Sequence, residues 1–278
     1  MGVIETLIVT TALAGVGGTG LGGLIGAMLQ KDSKRTVSLL LSFAGGVMLS
    51  VVCFDLVTEA IETNMGIWTV VGSIAFGVAI TYFLNYLIDR NTNPEVPHID
   101  ANHPQTADDL DELIHSDHLE QHYARQDSKM GLFVAGVVMA CAIALHNVPE
   151  GMTIGASYAS NDGVMGRAAL VLAVLIGLHN IPEGMAVSVP LISGGMPKWK
   201  AVVITACSGI PTILGALLGY LLGEIGPLGL TMSLGFASGA MLYVVFGEIL
   251  PQSILMYHSK LPAFSAIAGI LAGILIIF

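Results

Sequence analysis

Apolar residues in this chain come in long blocks, and the polar ones gather in the intervals between them. Neither the helical stripe nor the strand alternation of a soluble domain describes such a pattern. Runs of about 20 apolar residues are what a bilayer-crossing helix requires. Eight can be marked, at 4–29, 37–61, 67–89, 131–159, 166–193, 199–222, 228–256 and 262–278. The chain is therefore expected to be an all-α polytopic membrane protein with eight transmembrane helices. Its organisation follows from the intervals: helices one to three in 1–89, a polar segment at 90–129, a central helix pair in 130–194, and helices six to eight in 195–278.

Charge adds an orientation. Only 11% of residues are charged and 54% are hydrophobic, against about 25% charged in an ordinary soluble domain. Lys31, Lys34, Arg35, Arg90, Arg125, Lys129, Lys198, Lys200 and Lys260 all fall in alternate connections, and Arg167 alone falls on the other side. Basic residues favour the cytoplasmic face, which places both termini outside a cell membrane. Met1–Glu5 has no basic n-region, so the first run reads as a span and not as a cleavable signal. The segment 90–129 holds nine acidic and three basic residues. It is expected to be a mobile cytoplasmic loop, with a helical piece at 108–125 that has Leu110, Leu113 and Ile114 on one edge. Cys53, Cys141 and Cys207 lie singly in separate runs, too dispersed for a disulfide framework or zinc ribbon, and packing is the expected role of each.

Two internal repeats bear on function. His146-Asn147-Val148-Pro149-Glu150-Gly151 and His179-Asn180-Ile181-Pro182-Glu183-Gly184 occupy the fourth and fifth runs. Residues 41–55 also align without gaps on 234–248, with eight of fifteen positions identical and an acid, Asp55 or Glu248, closing each segment. These are the second and seventh runs, which cross in opposite directions. Inverted repeats around a midplane site recur in secondary transporters.

A charged side chain at the bilayer centre costs roughly 2.5–3.5 kcal/mol on insertion scales, so two Glu and two His need compensation. On a helix a residue four positions on lies about 40° round and about 6 Å along. His146 and Glu150 thus share a face with Asn147 on its flank, and His179, Asn180 and Glu183 repeat the arc. If the arcs face each other they offer imidazole, carboxylate and amide oxygen to a borderline divalent ion such as Zn²⁺. Pro149 and Pro182 free the carbonyls of Leu145 and Leu178, and Gly151 and Gly184 permit close helix approach. Two other readings stay open: a structural His–Glu pair inside each helix, and an intramembrane zinc-dependent hydrolase, although His-Glu-x-x-His is absent.

The motif pair, the eight runs and the His-bearing segment between runs three and four resemble the ZIP (Zrt/Irt-like) family of divalent metal transporters over essentially the whole chain. The resemblance implies uptake of Zn²⁺, with Fe²⁺, Mn²⁺ and Cd²⁺ as further candidates, toward the cytoplasm through a site between helices four and five. It implies inverted three-helix repeats around that pair. Carried over by position, His146, Asn147, Glu150, His179, Asn180 and Glu183 are metal ligands, and Met48 and Glu248 line the path. Three positions depart from patterns in relatives: Thr212 stands where many have an acid, Asn180 where some bacterial members have Asp, and Gly247 where some have His.

Asp55, with Glu59 one turn on, is the expected entrance, and Glu248 the expected exit. Met241 shares the repeat position of Met48. His98, His103, His115, His118 and His122 in the polar segment could buffer the ion or make the protein a metal-responsive adaptor. Gly18-x-x-x-Gly22-x-x-x-Gly26 and Gly215-x-x-x-Gly219-x-x-x-Gly223 read as packing faces. The expected partners are divalent ions as transported substrate and the lipid bilayer; a homodimer is left open and no nucleic acid is expected.

Overall fold

The computed structural model describes residues 2–28, 34–92, 129–160 and 166–278. Among these residues the structure is helical without strands. The long helices are α1 (Val3–Met28), α2 (Arg35–Glu62), α3 (Ile67–Thr92), α4 (Lys129–Ser160), α5 (Arg167–Ser193), α6 (Lys198–Glu224), α7 (Pro227–Met256) and α8 (Leu261–Ile277). Six of them (α1, α2, α3, α5, α6 and α7) are long and apolar enough to cross a membrane, while α8 has 17 residues. The helical piece expected at 108–125 and the loop histidines lie outside the described residues.

The surface and interior are arranged for lipid. Leu13, Leu24, Leu214, Leu221, Leu271 and Leu275 are exposed, whereas Thr11, Thr19, Ser38, Ser42, Ser188 and Ser238 are buried. In a bilayer apolar side chains gain nothing by facing inward, and small polar ones let backbones approach and find partners. Ser38, for instance, donates across to the Ser253 carbonyl at 2.5 Å, and Ser265 to the Leu39 carbonyl at 2.6 Å. The three cysteines are exposed on the outer surface, so the packing expected of them is not packing in the bundle's interior. A sulfhydryl is apolar enough to face lipid, so its hydrophobicity gave no direction.

Helix pairing follows the inverted repeat. α1 packs on α5 and α6 on α4; α2 packs on α8 and α7 on α3; α4 and α5 lie together at the centre. Glycines set the register. Gly46 of α2 lies directly on the Ala266 carbonyl, and the matching Gly239 of α7 on that of Ile74; Gly269 lies on the Phe43 carbonyl, and Gly77 on that of Phe236. The inner layer repeats the scheme: Gly22 sits on the Ile181 carbonyl and Gly184 on that of Thr19, while Gly215 sits on Val148 and Gly151 on Thr212. A Cβ at any of these positions would collide with backbone. Both glycine-x-x-x-glycine stripes and both motif glycines thus serve as contact faces, and Thr212 turns out to be the counterpart of Thr19.

Three departures from α geometry were not legible in the apolar runs. Wide π turns occupy Leu13–Gly17 in α1, Val52–Leu56 in α2 and Val245–Ile249 in α7. The last two occupy matching positions in the aligned segments, and each carries the acid that closes its segment, Asp55 or Glu248. Such insertions are frequent at functional sites. In α6 the expected continuous run is interrupted at Gly209 and Ile210, where tight turns form (Gly209 N–H to the Ala206 carbonyl, 3.1 Å; Ile210 N–H to that of Cys207, 3.0 Å) before Pro211 restarts the helix. Pro211 cannot supply an amide hydrogen.

Candidate metal centre

The helix through Pro149 and the helix through Pro182 both continue without interruption past the motifs. Each therefore carries its His, Asn and Glu as one rigid arc. His146, Asn147, Glu150, His179, Asn180 and Glu183 are all buried.

The arcs face each other, and the close contacts cross between helices. His179 Nε2 lies 2.9 Å from Glu150 Oε1, and His146 Nε2 lies 3.5 Å from Glu183 Oε1. Within α4, His146 and Glu150 are further apart, at 3.9 Å. A structural ion pair confined to each helix is thus not what forms. His146, Glu150 and Glu183 offer one ligand atom each within 4.8 Å of one another, and small movements would bring them to the 2.0–2.2 Å bonds of a zinc ion. His146 Nδ1 and Nε2, Glu150 Oε2 and both Glu183 oxygens are buried without hydrogen-bond partners. Buried polar groups left so are costly, and a cation at their centre would satisfy them together.

The asparagines are oriented from outside the pair. Asn147 Nδ2 donates to the Ser208 carbonyl at 2.9 Å, which lies at the interruption of α6. Asn180 Nδ2 donates to the Ala14 carbonyl at 3.2 Å, which lies in the π turn of α1. Irregular backbone in the flanking repeats thereby exposes acceptors that hold each amide nitrogen. Both Oδ1 atoms are buried without a hydrogen-bond partner and remain available as oxygen donors. Asn180 also lies beside Glu150.

The remaining sequence candidates separate. Glu248 lies within electrostatic reach of Glu183 and lines a cavity of about 110 Å³ that also touches His146. Asp55 is half-buried on its π turn with Oδ2 unpartnered, and Glu59 next to it bonds Ser160 at the end of α4. Met48 and Met241 are fully buried in the apolar core. Sequence reasoning passed over Asn85, which lines the same cavity as Glu248. A lone amide in the apolar third run was the available signal.

An all-helical bundle with an outward apolar surface and a buried nest of imidazoles and carboxylates defines a multi-pass membrane protein equipped for a cation. Comparison with known proteins makes this specific: residues 3–278 match the family described as ZIP Zinc transporter, and the chain belongs to that family, whose members are transporters and not enzymes. It is 34% identical over 276 residues to Zinc transporter ZupT of Chlorobaculum parvum (96% of this chain, 92% of that protein). It is 29% identical over 282 residues to ZupT of Akkermansia muciniphila (98% and 95%), and 32% identical over 263 residues to Zinc transporter ZIPB of Bordetella bronchiseptica (94% and 75%). The intramembrane hydrolase reading falls with this membership.

Proposed function

We propose that the protein carries Zn²⁺ across the cell membrane into the cytoplasm, bound in transit by His146, Glu150, His179 and Glu183 with Asn147 and Asn180 completing the shell. The observation that carries the reading is the crossed arrangement of imidazoles and carboxylates between α4 and α5, with ligand atoms 4.8 Å or less apart. Two carboxylates balance one divalent charge, so the loaded centre is neutral in lipid. Fe²⁺, Mn²⁺ and Cd²⁺ share enough of this ligand preference to compete. Asp55 and Glu59 receive the ion on one side and Glu248 passes it on at the other. Met48 stands beside this route as packing that a soft ion can touch. The nine basic residues in alternate connections support external termini and an inward direction by the charge bias of cytoplasmic loops. The polar segment 90–129 is a cytoplasmic accessory, not the transport element.

The test is uptake of Zn²⁺, Fe²⁺, Mn²⁺ and Cd²⁺ into proteoliposomes of known orientation. Wild type takes up Zn²⁺, the double variant Glu150→Gln/Glu183→Gln does not, and deletion of 95–125 leaves uptake in place. Equal uptake by the wild type and the double variant would refute the site. Loss of function only on deleting the loop would favour the metal-responsive adaptor.

A further inference from the structure

The face of α4 that carries the centre continues past it. Glu150, Thr153, Ser157 and Ser160 all fall within about 40° of His146 around a helix of 3.6 residues per turn. Gly151 and Gly155, which sit on the Thr212 and Ala216 carbonyls of α6, lie about 140–180° round from His146. The hydroxyl stripe therefore points away from α6, and its last member, Ser160, hydrogen-bonds Glu59 of α2. Asp55 lies one turn back from Glu59. Hydroxyls thus occupy the roughly 15 Å of helix between Glu150 and the acids of α2. The other central helix differs. Counting from Glu183 as from Glu150, α5 carries Ala186 and Pro190 where α4 carries Thr153 and Ser157, and only Ser193 repeats a hydroxyl, that of Ser160. The two helices cross in opposite directions, so the run of hydroxyls belongs to one side of the centre. Their protons are used within α4: Thr153 Oγ1 donates to the Glu150 carbonyl at 2.7 Å and Ser160 Oγ to the Ser157 carbonyl at 3.0 Å. Such back-bonding satisfies the donor and leaves the oxygen with acceptor capacity for a cation or its bound water.

We propose that Thr153, Ser157 and Ser160 form a file of neutral oxygen ligands along which a partly hydrated cation travels between the Asp55 and Glu59 carboxylates and the central site. A further carboxylate on that stretch would hold a divalent ion, and a wholly apolar stretch would reject it. Hydroxyls do neither, because they replace part of the hydration shell without adding charge. Passage requires stations strong enough to enter and weak enough to leave. Thr153 and Ser157 are wholly buried, so the file is closed in this arrangement, and reaction of an introduced thiol reports its opening. The inference rests on the transport reading for its role, and the opening of the file is tested apart from that reading.

The experiment therefore has a flux arm and a labelling arm. In proteoliposomes Thr153→Val/Ser157→Ala lowers uptake at low Zn²⁺ at least fivefold, while Zn²⁺ binding to the purified protein is unchanged. Thr153→Ser, which keeps the oxygen and loses the methyl group, stays within about twofold of wild type; Thr153→Val, which keeps the shape and loses the oxygen, does not. Uptake by the double variant at the wild-type rate overturns the proposal. So does a Thr153→Ser protein as slow as Thr153→Val, the result of a packing role. For labelling, the background carries Cys53→Ser, Cys141→Ser and Cys207→Ser. There Ser157→Cys reacts with a charged methanethiosulfonate added on the Glu59 side, and Zn²⁺ slows the reaction. Met152→Cys, on the flank where Gly219 of α6 sits on the Met152 carbonyl, stays unreacted. Equal inertness of the two thiols overturns the file as a route. If wild type itself moves no metal, the transport reading fails, and the labelling still decides whether the file opens to water.

Discussion

The two three-helix repeats pack alike and differ in chemistry. α2 on α8 and α7 on α3 use the same glycine-on-carbonyl contacts, and both carry a π turn with an acid at the same position. Yet one half carries Asp55, Ile277, Gly273 and Ser50 where the other carries Glu248, Asn85, Thr81 and Tyr243. Packing that depends on backbone contact tolerates no side chain, so it keeps the symmetry of the fold. The side chains between helices are free to vary, and here a cavity of about 110 Å³ opens beside Glu248. Symmetry thus builds the frame, and its departures lie in the side chains between the helices.

The centre should be the most sensitive point. Glu150 approaches both histidines, at 2.9 and 3.9 Å, whereas Glu183 approaches His146 at 3.5 Å. Glu150→Ala is expected to cut Zn²⁺ uptake to background, a loss of roughly a hundredfold or more, with Glu183→Ala close behind; charge loss at a buried pair is worth about 3–5 kcal/mol. Flux in proteoliposomes checks the order, and a Glu150→Ala protein faster than Glu183→Ala would reverse it.

Next in size comes the frame. Gly151→Val and Gly184→Val each force a branched side chain onto a carbonyl, of Thr212 or Thr19 respectively. Overpacking costs about 1–3 kcal/mol and occasionally more, so both should lower the melting temperature in detergent, and by similar amounts. A drop in only one would break the equivalence of the repeats.

Between the halves, Glu248→Gln is expected to slow uptake about tenfold and Asp55→Asn only a few-fold. Glu248 adjoins Glu183 and the cavity, while Asp55 has Glu59 beside it to take its place. Initial rates at saturating and at low Zn²⁺ separate entry from release. The smallest effect is that of pH. Ligands must shed protons to bind metal, so apparent Zn²⁺ affinity falls as pH drops from 7 to 6, by severalfold, and equilibrium titration should show it. Affinity that rose on acidification would contradict a His and Glu ligand set.

Much of this was legible in the chain. The apolar runs marked the helices, and the duplicated hexapeptide marked the centre because Glu and His in such surroundings demand compensation. The 41–55 and 234–248 alignment exposed the inverted repeat. What escaped depends on neighbours distant in sequence. That His179 meets Glu150 and not Glu183 follows from how α4 and α5 face each other, which helical spacing within one helix does not encode. The carbonyls of Ser208 and Ala14 became acceptors through an interruption and a π turn; of these only Pro211 left a visible sign. Asn85 looked like a stray amide until Tyr243 and Glu248 were placed around it. The direction of the cysteines was not legible because burial and lipid exposure ask for the same hydrophobicity.

In the proposed mechanism one divalent cation is held between α4 and α5 by side chains of both. Anomalous diffraction from crystals grown with Cd²⁺ tests it most directly. A peak is expected within bonding distance of His146, Glu150 and Glu183, absent from a Glu150→Ala/Glu183→Ala protein. A peak that persists undiminished in that variant, or density only elsewhere in the bundle, would contradict it.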